Sequence, residues 1–345
     1  MASLDPKQID DLVLLTQNAL IKRGAFVDLQ SDLTDYVGVR ELYKPHKKTF
    51  AGGLDWEFEA QVDHNHSARF VGLYENDGAS IRDTFIMGKV SPRFVDAHYI
   101  YDTREPILQR GGIQVVDFVK SKYTSMIISY WELMESAIWG KPENSGDRKT
   151  PYGVPYWITK GASEGFTGLD PVGFTNGRAG ISSVDYPRWA NYSSPYTAVS
   201  KEDLIRKMRR AHRRTRFRSP ISHATPNLGS MRNGIYTNDN VIGIFEEVLE
   251  ASNMNLGNEL ASKDGKTMFK GTPVIYAPYL DNDSSDPVYM LDWKWLALGM
   301  LEGWMDKASA PAVVPGKHNV RSVFLDSGFN MVCTDLRRHA VFYKE

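Results

Sequence analysis

IQVVDFVKSKYTSMIISYWELMESAIWG, residues 113–140, is the longest periodic stretch in the chain, and the rest of the fold is read outward from it. Val116, Val119, Tyr123, Ile127, Tyr130, Met134 and Ala137 recur every three or four residues, the spacing of one face of an α-helix. At 1.5 Å per residue, about 25 such residues span roughly 38 Å. Gly140 stops the pattern, and Lys141-Pro142 lies just beyond it.

Upstream the period changes. Leu54, Trp56 and Phe58 alternate with Asp55, Glu57 and Glu59, the period of two that marks a strand. Asp63-His-Asn-His66 has turn chemistry, and Phe70 to Tyr74 is a second apolar run closed by Glu75-Asn-Asp-Gly78. The two runs are expected to pair as a long hairpin. A lone hairpin is marginal in water, so one this rich in aromatics needs support from outside itself. Val90 to Tyr101 is expected to form another strand region. At the N-terminus, Ile9, Leu12, Val13, Thr16, Ala19 and Leu20 give residues 5–23 an apolar stripe at helical spacing, with Gly24 as its stop.

Downstream, residues 141–199 mix Gly, Pro, Ser and Tyr without a sustained period and are expected to be loops and short strands. Ser200-Lys-Glu-Asp203 starts a basic helix running to about Arg214 in the manner of a capping box. Further elements are expected at Asn240–Ser252 (helix), Gly271–Ala277 and Val288–Asp292 (strands), and from His318 to Tyr343 (a final sheet). The fold class expected is α+β.

Composition limits what such a chain can do. It has 345 residues, 42% apolar and 12% aromatic, enough for a sizeable core and too apolar for a disordered protein. Cys333 is the sole cysteine, so an intrachain disulfide and a multi-cysteine metal site are excluded. The first residues lack the basic-then-apolar pattern of a signal peptide, and no run reaches the length of a membrane span, so no membrane role is expected.

Motifs for chemistry are mostly missing. There is no GxxxxGK[ST] loop, no GxGxxG after a strand and no GxSxG elbow. His64 and His66 give two possible ligands, too few for a metal site. Asp281-Asn-Asp283-Ser-Ser-Asp286 carries oxygen donors, but lacks the glycine of a calcium loop and runs into Pro287. Glu132 and Glu135 are read as a solvent or interface face of the long helix rather than an acid–base pair. No catalytic residue, cofactor or metal is expected.

One charge signal stands out. Formal net charge is -1, yet Arg206, Lys207, Arg209, Arg210, Arg213, Arg214, Arg216 and Arg218 crowd a short segment. Such a cluster suits phosphate contacts with nucleic acid, or pairing with acidic groups of the same or a neighbouring subunit. Around a helix it is expected to spread over the whole circumference rather than one stripe, which favours subunit pairing.

The order of these elements resembles the major capsid proteins of tailed bacteriophages. In that family a long spine helix ends at a Gly and is followed by a Pro-x-Gly-aliphatic turn, as in Ala137-Ile-Trp-Gly140 and Pro151-Tyr-Gly-Val154 here. Phe269-Lys-Gly-Thr-Pro-Val274 is similar to the family's Leu-x-Gly-x-Pro-Val strand start, Pro287-Val-Tyr-Met-Leu-Asp-Trp293 follows as in the family, and Arg338-His-Ala-Val-Phe342 fits its closing strand. The resemblance implies the Hong Kong 97-like shell fold, with an N-arm at 1–45 and an extended loop with flanking strands at 46–108. It further implies a peripheral domain at 109–150 and 291–345, and an axial domain at 151–290.

By the same resemblance the chain would be a virion shell protein assembled in the host cytoplasm. It would form hexamers and pentamers around packaged double-stranded DNA, with a portal protein and a possible cement or scaffolding protein as partners. Ile9, Leu12, Leu20, Trp56, Phe58, Phe70 and Tyr74 are the candidate subunit contacts. A short arm comes before the excursion, so scaffolding is expected to be separate or dispensable, and residues 51–88 contain no Lys, which argues against the version of the fold that cross-links through a loop lysine. An encapsulin-like compartment shell shares the expected fold, and a soluble carbohydrate-active enzyme is the reading of a different class that the aromatics and acids suggest.

Overall fold

In a computed structural model of the chain, the described residues are 36–43, 47–63, 68–73, 84–105, 112–215, 233–253 and 267–345, with side chains undescribed at 112–120 and 249–253. The expected arm helix at 5–23, with Ile9, Leu12 and Leu20, lies outside them, as do His64, His66, Tyr74, Arg216 and Arg218.

Described elements begin with α1 (Val37–Leu42), β1 (Lys48–Phe50), β2 (Trp56–Gln61), β3 (Phe85–Val90), β4 (Arg93–Asp102) and the long helix α2 (Gly112–Trp139). A four-residue turn of helix, α3 (Val154–Trp157), precedes β5 (Gly165–Gly168), β6 (Asn191–Tyr196), the basic helix α4 (Leu204–Thr215), β7 (Asn233–Thr237) and α5 (Asp239–Asn253). The chain continues through β8 (Met268–Phe269), β9 (Thr272–Tyr276), β10 (Val288–Asp292), β11 (Leu296–Leu301), β12 (Lys307–Ala308), β13 (Ala312–Val314), β14 (Lys317–Cys333) and β15 (Ala340–Lys344).

The long helix is where periodicity put it. Its buried stripe, Tyr123, Met126, Ile127, Tyr130, Met134 and Ile138, packs on a sheet organised by β14. The N-terminal part of β14 pairs with β4 along ten residues, from Val320 opposite Asp102 to Phe329 opposite Arg93. Its C-terminal part pairs with β11, which carries β1 in parallel on its far edge.

A second sheet runs β5-β6-β15-β10-β7-β9-β8. Its central strands are buried on both faces, so they read as continuous apolar runs instead of alternating ones. Tyr236, Tyr289, Leu291 and Val341 turn to the core shared with the long helix. Their neighbours Ile235, Val288, Met290, Ala340 and Phe342 turn to a second core under α4 and α5.

Two expectations change. The residues from His318 to Tyr343 do not form one final sheet. Asp335 caps a tight turn at Leu336–Arg338 by accepting the Arg337 N–H, and the chain then crosses to the second sheet, where β15 lies between β6 and β10. Strand 340–344 therefore belongs with the sheet of the inserted segment, not with the rest of 291–345. The hairpin partner of β2 is also different: it is β3, paired from Trp56 opposite Val90 to Gln61 opposite Phe85. Residues 70–73 form no strand, and Phe70, Val71 and Leu73 are exposed. The β3 pairing is favoured because Gly88 leaves room for the Phe58 ring. A Cβ on Gly88 would sit 2.5 Å from that ring's Cζ.

Candidate assembly interface

The hairpin is anchored at its base by aromatic packing within the chain. Trp56 is buried and stacks on Phe50 with centroids 4.5 Å apart, over Gly299, where a Cβ would come 2.8 Å from the indole. Phe58 lies near Trp189, and the Lys89 N–H donates to the Ala179 carbonyl. Trp56 is thus no exposed anchor for a neighbour. Its burial holds the projecting strands in place, and Phe58 mostly serves the same purpose. Phe70, by contrast, is fully exposed, together with Leu54 and Leu73.

The loops behind the hairpin are organised around a buried side chain that no sequence pattern marks. Arg178 is fully buried, and its guanidinium donates to the carbonyls of Trp157, Gly168 and Leu169 and to Asn191 Oδ1, with Asp170 4.0 Å away. Burial lowers its pKa to about 10. Spread around this one side chain, the loop presents Leu169, Val172 and Val184 to solvent.

The long helix carries a second buried charged group. Glu135 was expected on a solvent or interface face, but it is completely buried. Its carboxylate accepts the backbone N–H groups of Gly38 (2.9 Å) and Val39 (2.7 Å) and the indole N–H of Trp139 (2.7 Å). Helix α1 has no side-chain cap of its own, so a carboxylate on another helix satisfies its first-turn donors. Glu132 stays at the surface and accepts the Tyr36 hydroxyl at 3.2 Å. The two carboxylates do not act as a pair.

The basic helix corrects another expectation. Leu204, Ile205, Met208, Ala211 and Thr215 are buried, while Arg206, Arg209, Arg210, Arg213 and Arg214 are exposed. The arginines therefore form one outer face rather than a full circumference. Its start keeps half of the expected capping box: the Asp203 N–H donates to Ser200 Oγ, but the Asp203 carboxylate accepts from Thr197 and Ala198 and pairs with Lys207 at 2.5 Å. Arg210 pairs with Glu164 at 3.0 Å. Arg206, Arg209, Arg213 and Arg214 make no ion pair among the described residues.

The remaining candidate ligands are committed to local structure. Asp281 accepts the Asp239 N–H and the Tyr276 hydroxyl, Asp283 pairs with Lys160, and Asp286 accepts from Asn238. No group of three or more His, Cys, Asp or Glu is placed to hold a metal among the described residues. Cys333 is buried in β14, and burial pushes its thiol pKa well up. No helix among the described residues is long and apolar enough to cross a membrane.

Comparison with solved structures places this architecture. The chain is similar to a chain of the cyanophage A-1(L) capsid asymmetric unit, at 16% identity and a TM-score of 0.61, over 88% of this chain and 92% of that one. It is similar also to the capsid of a native GTA particle, at 8% identity and a TM-score of 0.51, over 88% and 90%. No family model and no curated protein matches it. The chain has the Hong Kong 97-like shell fold that its order of elements implies.

Proposed function

We propose that this chain, having the shell fold of phage capsid subunits, is itself the major capsid protein of a tailed bacteriophage. Copies of it join as hexamers and pentamers and tile an icosahedral shell around double-stranded DNA. One observation carries the reading: a single fold accounts for nearly all of this chain and nearly all of the matched chain of the cyanophage capsid asymmetric unit, with no large part left over in either. The surface agrees with it. An excursion with exposed Phe70 and Leu73, and an arginine face with few partners of its own, suit a protein whose neighbours are further copies of itself.

The protein is then assembled in the host cytoplasm and ends in the virion. A portal protein at one vertex and a scaffolding or cement protein are its proposed partners besides itself. Shell stability would rest on non-covalent contacts, given the absence of lysine from residues 51–88.

Electron microscopy and sedimentation of the purified protein at rising concentration test the reading. Closed shells are expected, and a protein that stays a monodisperse monomer at every concentration would refute it. Nuclease-protected DNA in native particles is expected of a capsid, while a protein cargo in its place would assign the shell to an encapsulin-like compartment.

A further inference from the structure

Two helices cover the same face of the second sheet with opposite charge. Helix α4 lies over β6 and β15 and turns Arg206, Arg209, Arg210, Arg213 and Arg214 outward. Helix α5 flanks β9, toward the other end of the sheet, and turns Asp239, Glu246 and Glu247 outward. Both are fixed to one core, in which Phe245 and His212 each lie 6.5 Å from Phe269, so the two faces are held at set positions on one plate.

The arginine face is unfavourable by itself. Arg206 with Arg209 and Arg210, and Arg210 with Arg213 and Arg214, are like charges three or four residues apart, which repel on a helix. Glu164 answers Arg210 alone. The acidic face is equally open: among the described residues Glu246 accepts a hydroxyl, from Thr267, and Glu246, Glu247 and Asp239 form no ion pair. Each face lacks what the other carries, yet among the described residues no ion pair joins the two within a single chain. A second copy placed beside the first brings them together.

We propose that the basic face of α4 docks on the acidic face of α5 of the next subunit. The joint is heterologous, and its repetition closes a ring when the rotation per copy divides the circle, which is the geometry a capsomer requires. This rests on the capsid reading and deepens it, by naming the contact that orders subunits within a capsomer. Charge pairing of this kind supplies register and speed of association more than raw affinity.

Charge reversal with rescue tests it. The basic-face variant is Arg209→Glu with Arg213→Glu, the acidic-face variant is Glu246→Lys with Glu247→Lys, and a third carries all four changes. Each is checked for native folding by its urea midpoint. Assembly is read by sedimentation and electron microscopy. Either double variant should raise the protein concentration needed for assembly by at least about tenfold, and the fourfold variant should restore it to within about threefold of wild type. An equal mixture of the two double variants should close six-membered rings by alternation, whereas a five-membered ring must keep one mismatched joint.

A double variant that assembles at the wild-type concentration overturns the proposal, as does a folded fourfold variant that stays blocked. If the basic-face variant assembles normally but loses protected DNA, the arginine face belongs to nucleic acid and the proposal is again overturned. If the wild-type chain forms no shells, it is the capsid reading that fails.

Discussion

Replacing Glu135 tests how the chain entering the shell domain is held to its long helix. The carboxylate accepts three buried N–H groups, two from the first turn of α1 and one from Trp139. In Glu135→Ala all three lose their acceptor, and each buried donor left unpaired costs about 1–3 kcal/mol. Removing a buried charge returns part of that, so the net loss should be about 3–5 kcal/mol. Glu135→Gln separates the contributions. Its carbonyl, placed at the Oε1 position, still accepts from Gly38 and Trp139, while its amide faces the Val39 N–H donor to donor, so it should lose about 1–2 kcal/mol. Urea unfolding of the unassembled subunit measures both, as midpoint shifts at constant m. An alanine variant within about 1 kcal/mol of wild type, or a glutamine variant as costly as alanine, refutes the clamp. The pH dependence has a defined sign. Burial raises the carboxyl above its ordinary 4.5, although the three hydrogen bonds and Arg40 pull the other way. The folded state therefore holds the proton more readily, and this contribution is full below 4.5 and lost as pH rises through the raised value. The wild-type advantage over the glutamine variant should shrink across that window.

Three further outcomes are expected. Gly88→Ala places a methyl group against the Phe58 ring and should loosen the hairpin by about 1–3 kcal/mol, seen as faster hydrogen exchange in residues 56–61 and 85–90 with β14 unchanged; uniform exchange across both regions counts against it. Arg178→Lys keeps the charge but offers a single ammonium to four separate acceptors, so it should destabilise by about 3 kcal/mol or more, and a wild-type melting curve would show that the guanidinium fork is not what holds the loop. Burial lowers the His339 pKa from 6.5 to about 3, with Arg338 adding to it, and its neutral Nδ1 accepts the Asp292 N–H; stability from this group is present above 6.5 and lost as pH falls toward 3, so His339→Gln should flatten the acid limb of the urea-midpoint profile, and parallel profiles would refute the assignment.

What the sequence disclosed follows from where the signal is local. The long helix could be read because a 28-residue amphipathic stripe and a terminal glycine leave no competing pattern. Strand β9 could be read from its turn and its β-branched residues. The partner of β2 was hidden, because Phe85–Val90 contains a glycine and a lysine, and what makes it fit is the ring of Phe58 on another strand. On α4 the apolar spacing of Leu204, Ile205, Met208, Ala211 and Thr215 is present in the sequence, but arginines at most of the positions between them mask it. Glu135 and Arg178 gave no local sign. Each is buried because distant backbone groups converge on it, and such convergence exists only after folding.

These convergent groups also explain how the two sheets act as one body. Trp139 donates its indole N–H to Glu135 at the end of the long helix, and its ring lies 5.5 Å from Tyr236 and 6.2 Å from Tyr289 on the second sheet. Tyr236 in turn accepts the indole N–H of Trp293 at 2.7 Å, just before β11 of the first sheet. One side of the second sheet is thereby welded to the helix, to α1 and to the first sheet, and the other side carries the two charged helices. A one-residue slip in β7, β10 or β15 would exchange the two faces, turning Tyr236, Tyr289 and Val341 toward α4 and α5. The register of three central strands thus fixes where the arginine and glutamate faces stand relative to the long helix. Complementary charges on separate copies can order a ring only if that relation is the same in every copy, and a sheet with apolar cores on both faces enforces it.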